Sequence, residues 1–162
     1  MNAQSAETLA LLAEFYTEKL ASVLQHQAHA RLISQYDANN TYQYVINREE
    51  VQLAWLAKAI ADGGGAVPDT APVPAAATGK DARTLFDEDV RAAQAFLDRW
   101  RPRVDAVDNA RHRNMLRVIL GETREQQRFF EQALAGRTDL LGRRTSAGDP
   151  ARGAVLPARW IE

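Results

Sequence analysis

The stretch Gly63–Lys80 constrains the fold of this chain more than any other. It carries Gly63-Gly64-Gly65, Pro68, Pro72 and Pro74 among small residues. It is too long and too poor in bulky side chains for a tight turn, and reads as a surface crossover. On its N-terminal side, Ser5–Tyr36 and Thr41–Asp62 contain neither Gly nor Pro. Their apolar residues recur at helical spacing, which predicts two helices. A break is expected at Asp37-Ala38-Asn39-Asn40, whose side chains can satisfy turn backbone groups. Gly63 then stops the second helix. Beyond the crossover, the pattern predicts a third helix from Asp81 or Thr84 to about Arg101, ended by Pro102. A fourth is expected from a cap at Asp105 or Asp108 to about Ala135, before Gly136. The chain is therefore expected to be all-α, with two antiparallel helical hairpins joined by one long connection into a four-helix bundle. At ~3 Å per extended residue the crossover can run the length of the bundle.

The 162 residues suit one domain, residues 1–136, followed by an irregular tail, 137–162. Lys and Arg number 20 against 21 Asp and Glu, so the balance of -1 offers nothing to nucleic acid. The absence of Cys excludes disulfides, thiolate zinc sites and iron–sulfur clusters. No apolar run approaches the ~20 residues of a membrane span, and Met1–Glu14 does not read as a secretory signal. A cytoplasmic setting is the expectation. There is no nucleophile turn and no Gly-rich phosphate loop. In the tail, Leu156, Trp160 and Ile161 stand on an otherwise polar segment. That pattern suits docking onto the bundle, onto another subunit of a homo-oligomer, or onto a protein partner.

The second helix places a carboxylate on the face it should bury. Tyr42, Val45, Glu49, Gln52, Leu56 and Ala59 share one stripe at the 3.6-residue period. An unpartnered buried carboxylate is costly, so Glu49 needs a partner. With the first turn centred near Ala38–Asn39, Glu49 lies level with about Ala28, beside His26, Gln27 and His29. With the second turn near Val104–Asp105, Glu122 lies level with Asp87–Asp89. Asp89 shares a stripe with Leu85, Ala92 and Phe96; Glu122 shares one with His112, Met115, Ile119, Gln126, Phe129 and Ala133. Polar groups of all four helices thus fall at comparable heights: His26 or Gln27, Glu49 with Gln52, Asp89 or Glu88, and Glu122 with Glu125 or Gln126. Oxygen donors and imidazoles converging in this way can hold two metal ions.

Over roughly Ser5–Gly136 the chain resembles the ferritin-like superfamily, most closely its rubrerythrin-type and related small bundles. The resemblance rests on Glu49-Glu50-Val51-Gln52 and on Gly121-Glu122-Thr123-Arg124-Glu125-Gln126. The family has Glu-x-x-His at both places and one Glu on each remaining helix. Here Gln52 and Glu125 stand at the histidine positions, and the first helix offers His or Gln. The resemblance implies a two-metal carboxylate site for iron or manganese, with Glu49, Glu122, Asp89, Glu125, His26 and Gln52 as ligands and oxidase-type chemistry weakened or lost. The alternative is a metal-free helical scaffold that assembles through its faces and tail. In it His26 and His29 face solvent, Gln52 and Gln126 are core hydrogen-bond partners, and the basic side of the fourth helix, Arg111, Arg113, Arg117 and Arg124, is solvated or meets another subunit.

Overall fold

The computed structural model describes residues 3–142. Four helices account for most of them: α1 (Ala3–Ala30), α2 (Tyr36–Asp62), α3 (Ala82–Asp105) and α4 (Ala110–Leu134). No strand occurs among the described residues. Helix α1 packs along α2, α3 along α4, and α2 meets α4 across the bundle. The expected pair of hairpins and the long link between α2 and α3 are all present. No helix among the described residues is long and apolar enough to cross a membrane.

The boundaries differ from expectation at two places. The first break lies at residues 31–35, between the end of α1 at Ala30 and the start of α2 at Tyr36, where a break at 37–40 was expected. Asp37, Asn39 and Asn40 belong to the first turns of α2. From there Asn39 Nδ2 donates back to the carbonyls of Ala30 (2.9 Å) and Ile33 (3.3 Å). It adds a second hydrogen bond to the last carbonyl of α1 and one to a carbonyl of the turn, so this residue ties down the end of its neighbour from inside the next helix. The third helix continues past Pro102 to Asp105, with the proline in the last turn. There the loss of one backbone donor leaves little helix downstream to unravel. Asp81 accepts from the Thr84 amide as the cap of α3, as expected. Asn109 caps α4 by accepting from the amide of His112, in place of Asp105 or Asp108. Gly63 closes α2, and Gly136 follows α4 at φ +90°, the left-handed conformation a helix stop favours.

Two apolar clusters fill the bundle. The one toward the crossover end of α2 holds Leu12, Phe15, Leu56, Ile60, Phe96, Trp100, Leu116 and Ile119 among others. The one at the α1–α2 turn holds Val23, Ile33, Tyr42, Val45, Leu85, Phe86 and Phe130. Between them runs a belt of buried polar side chains from all four helices: Lys19, His26 and His29; Glu49 and Gln52; Asp89; Thr123 and Gln126. Residues 143–162, with Trp160 and most of the expected tail, lie outside the described residues.

Asn39→Ala is expected to lower the stability of the bundle by about 1 kcal/mol. Asn39→Asp should cost more, because a carboxylate would then face two carbonyl oxygens. Urea unfolding midpoints of the two variants check the order.

Candidate functional site

The centre of the belt is an ion pair that the sequence did not disclose. Lys19 Nζ of α1 donates to Glu49 Oε1 of α2 at 2.9 Å, and both side chains are 1% exposed. His26 reaches the other oxygen of the same carboxylate, with Nδ1 2.7 Å from Glu49 Oε2. Its Nε2 lies 3.7 Å from Asp89 Oδ1 on α3. Asp89 is held in turn by His29 Nδ1 at 2.8 Å from Oδ2, by Gln25 Nε2 at 2.8 Å from Oδ1, and by the Tyr42 hydroxyl. Glu88, at the rim, sits 3.4 Å from His29 Nε2 and accepts from the amide of Thr78 in the crossover at 2.8 Å. Cationic or donor groups and carboxylates alternate across three helices: Lys19, Glu49, His26, Asp89, His29.

The electrostatics follow from this order. Burial works against charge on Glu49, but the His26 and Lys19 charges and their hydrogen bonds outweigh it and hold its carboxyl at about 2. Burial likewise opposes charge on His26, and the Glu49 and Asp89 carboxylates prevail, so its pKa is raised above the ordinary imidazole value. Asp89 is held below the usual carboxylate range: burial raises it, and the histidines beside it lower it further. The Tyr42 phenol is pushed far up by burial and by the Asp89 charge, and stays a hydroxyl donor.

The structure brings together Glu49, Asp89 and His26 of the expected ligands, and adds His29 and Lys19. The two histidines, expected at the surface in the alternative reading, are buried. Glu122 is half-buried at the α2–α4 rim, bound by Arg48 and by Gln52 Nε2. It does not meet Glu49 across the bundle. The residue of α4 that faces inward beside Gln126 is Thr123. Glu125 is exposed on the outer surface of α4. Gln52 spans rim and core, and its Oε1, like Gln126 Nε2, is a buried polar atom without a hydrogen-bond partner among the described residues. His112 is half-buried, and burial with the nearby Arg111 charge lowers its pKa.

Lys19 was missed for two linked reasons. The apolar stripe of α1 can be traced as Leu12, Tyr16, Leu20, Val23 or as Leu12, Phe15, Lys19, Val23; the structure takes the second. Moving the first turn from 38–39 to 31–35 also moves the level of Glu49 down α1 from Ala28 to within about two residues of Lys19, given the equal rise of the paired helices. The demand for a partner to Glu49 was the signal that could have found it.

The donor set does not fit a two-metal centre. An ammonium has only donors to offer; Lys19 donates to one oxygen of Glu49 and His26 meets the other. The Glu49 and Asp89 oxygens engage His26, His29, Tyr42 and Gln25. Among the described residues no three His, Asp or Glu side chains are gathered in a way that could hold a metal ion.

No protein-family model matches the chain, and no curated protein matches it. Among solved structures it is similar to one described as the crystal structure of ferritin-like, diiron-carboxylate proteins from Bacillus anthracis str. Ames. The TM-score is 0.67 over 83% of this chain and 99% of that one, at 15% sequence identity. The fold is ferritin-like. The resemblance drawn from the helix order and from the Glu49 and Glu122 segments therefore holds at the level of architecture. The ferritin-like core of this chain differs from the four-carboxylate pattern in putting a lysine on α1 against the α2 carboxylate.

The belt gives stability a definite pH profile. His26 has a folded pKa above its unfolded value of 6.5, so its contribution is complete below about pH 6.5 and fades as pH rises through the folded value. Glu49 has a folded value of about 2 against 4.5, so its contribution is complete above about pH 4.5 and fades as pH falls toward 2. Thermal unfolding should show greatest stability between those limits, with the alkaline decline reduced in His26→Gln. Lys19→Met and Glu49→Gln should each lose about 3–5 kcal/mol, since each leaves a buried partner unmatched, and the double variant should lose much less than their sum. Additive losses in a double-mutant cycle would contradict the pairing.

Proposed function

We propose that this ferritin-like bundle is a metal-free helical scaffold that works through its outer surface. The observation that carries the reading is the Lys19–Glu49 pair: a cation tethered to α1 already neutralises the carboxylate that a metal site would require. Glu49 and Asp89 also raise the His26 pKa against the burial that lowers it, so the imidazole between them favours its protonated form and adds to the positive charge that Lys19 supplies. The reading includes assembly with copies of itself. In its support, the open cleft between α3 and α4 presents both signs of charge: Arg101, Arg117, Arg124 and Arg128 beside Asp105 and Glu125. A face carrying both signs can be self-complementary in a two-fold dimer, each residue meeting its counterpart twice.

The rival reading is iron or manganese held by Glu49, Asp89 and the histidines, with weakened oxidase-type chemistry. It has in its favour the diiron-carboxylate description of the similar structure. Metal analysis of protein purified without chelator and then offered Fe(II) and Mn(II) separates the two. The scaffold reading expects substoichiometric metal in the wild type and in Glu49→Ala alike. Stoichiometric metal that disappears in Glu49→Ala would establish the rival.

The assembly is checked by sedimentation velocity. A dimer at low ionic strength should dissociate as salt is raised, because exposed charge pairs are screened, and Arg128→Glu should weaken it. A monomer under all these conditions would remove assembly through this face.

A further inference from the structure

The interior of α4 holds a residue that the bundle itself does not explain. Gly121 lies well inside the helix, far from either end. Glycine suits a helix interior worse than any residue except proline. Within a fold, the usual reason for one there is a neighbour that leaves no room for a side chain. Among the described residues Gly121 has no such neighbour: a Cβ built on it would meet nothing within 4 Å. The residue is exposed and lines the α3–α4 cleft. The room it leaves therefore opens outward, away from the bundle.

The charges on either side of Gly121 are opposite. Arg117 stands one helical turn before it and Glu125 one turn after, so the three share a face, and all three line the cleft. Glu125 and Arg128 are exposed and have no ion-pair or hydrogen-bond partner among the described residues. Arg117 donates to Asp105 Oδ1 through Nε (3.0 Å) and Nη2 (2.8 Å), which leaves its Nη1 for a further acceptor. A two-fold axis through Gly121 brings these groups together. When two copies of α4 cross antiparallel about it, each residue after Gly121 meets the residue equally far before it in the other copy. Arg117 then meets Glu125 of the second copy, and Glu125 meets its Arg117, each about 6 Å along the helix from the axis. Arg128 falls opposite Asn114, whose side-chain oxygen can accept from it. A parallel crossing would set Arg117 on Arg117 and Glu125 on Glu125, an arrangement that like charges oppose. The absent side chain at the axis lets the two backbones come close, since the separation of packed helices is set by the side chains at their contact.

We infer that two copies of this chain cross antiparallel at Gly121 of α4 and are held by a symmetric pair of Arg117–Glu125 contacts. The inference rests on the self-assembly part of the scaffold reading, and adds to it the axis, the orientation and the residues that meet. It does not depend on whether the core takes a metal. It also gives Gly121 a purpose that the isolated bundle does not supply.

The test is sedimentation velocity of the full chain at low ionic strength. Arg117→Glu and Glu125→Arg each turn both contacts into like-charge pairs, and each should raise the dimer Kd about tenfold or more. An equimolar mixture of the two variants should recover the dimer as a heterodimer, in which both contacts again set Arg against Glu. Gly121→Leu should weaken the dimer to a similar extent, yet raise the thermal midpoint of the monomer at high salt, because leucine suits a helix better. A wild-type dimer that none of these changes weakens would overturn the inference and leave self-assembly standing. Two variants that are each monomeric and stay so when mixed would also overturn it. A wild-type chain that remains monomeric at every salt and protein concentration would remove self-assembly and this contact together.

Discussion

Moving a carboxylate from water into the middle of a helical bundle costs several kcal/mol unless positive charge and hydrogen bonds travel with it. Glu49 meets that condition through Lys19 on one oxygen and His26 on the other. The rest of the polar layer follows from this contact. Burial lowers the His26 pKa, but the two carboxylates that face it prevail and raise it. Asp89 remains ionised because His26 and His29 stand beside it. Tyr42 keeps its proton because burial and the Asp89 charge both oppose a phenolate, and its hydroxyl donates to Asp89. Removing any one member changes the condition under which its neighbours tolerate burial. The layer therefore stands or fails as a connected network.

The network also disciplines the packing. An apolar seam can slide by a turn and still bury hydrocarbon, but charged partners cannot slide without being separated. Lys19 and Glu49 fix α1 against α2, and His29 and Gln25 fix α1 against α3 through Asp89. Arg48 and Gln52 fix α2 against α4 through Glu122. Each of the three contacts joins helices that are distant in sequence or separated by a turn, where register is otherwise set only by side-chain shape.

How much of this was legible in the residues depended on what each prediction rested on. The helix count, the crossover and the two-hairpin connectivity rested on runs without Gly or Pro and on Gly63-Gly64-Gly65, strong local signals that the fold obeys. Glu49 and Asp89 were placed inward because each breaks a clear apolar stripe on its helix, and both are buried. The misplacements came from the choice between i+3 and i+4 steps on α1 and α4. On α1 the apolar Leu20 concealed the step to Lys19. On α4 the acidic Glu122 drew the stripe one residue away from Thr123, which faces the core. Asn39 misled for a third reason: its capping capacity was real, but its acceptors belonged to the preceding helix. In each case the local pattern allowed two answers, and a contact distant in sequence selected one.

The belt divides the hydrocarbon interior into two compartments. One is organised on Phe15, Phe96 and Trp100, whose rings meet at centroid distances of 4.7–6.2 Å. The other is organised on Tyr42, Phe86 and Phe130 at 5.1–6.0 Å. Loosening of the turn at residues 31–35 would disturb the Tyr42 compartment directly. The Trp100 compartment would feel it only through the charged layer between them. Opening at one end of the bundle therefore reaches the other end through the charged layer and not through continuous hydrocarbon packing.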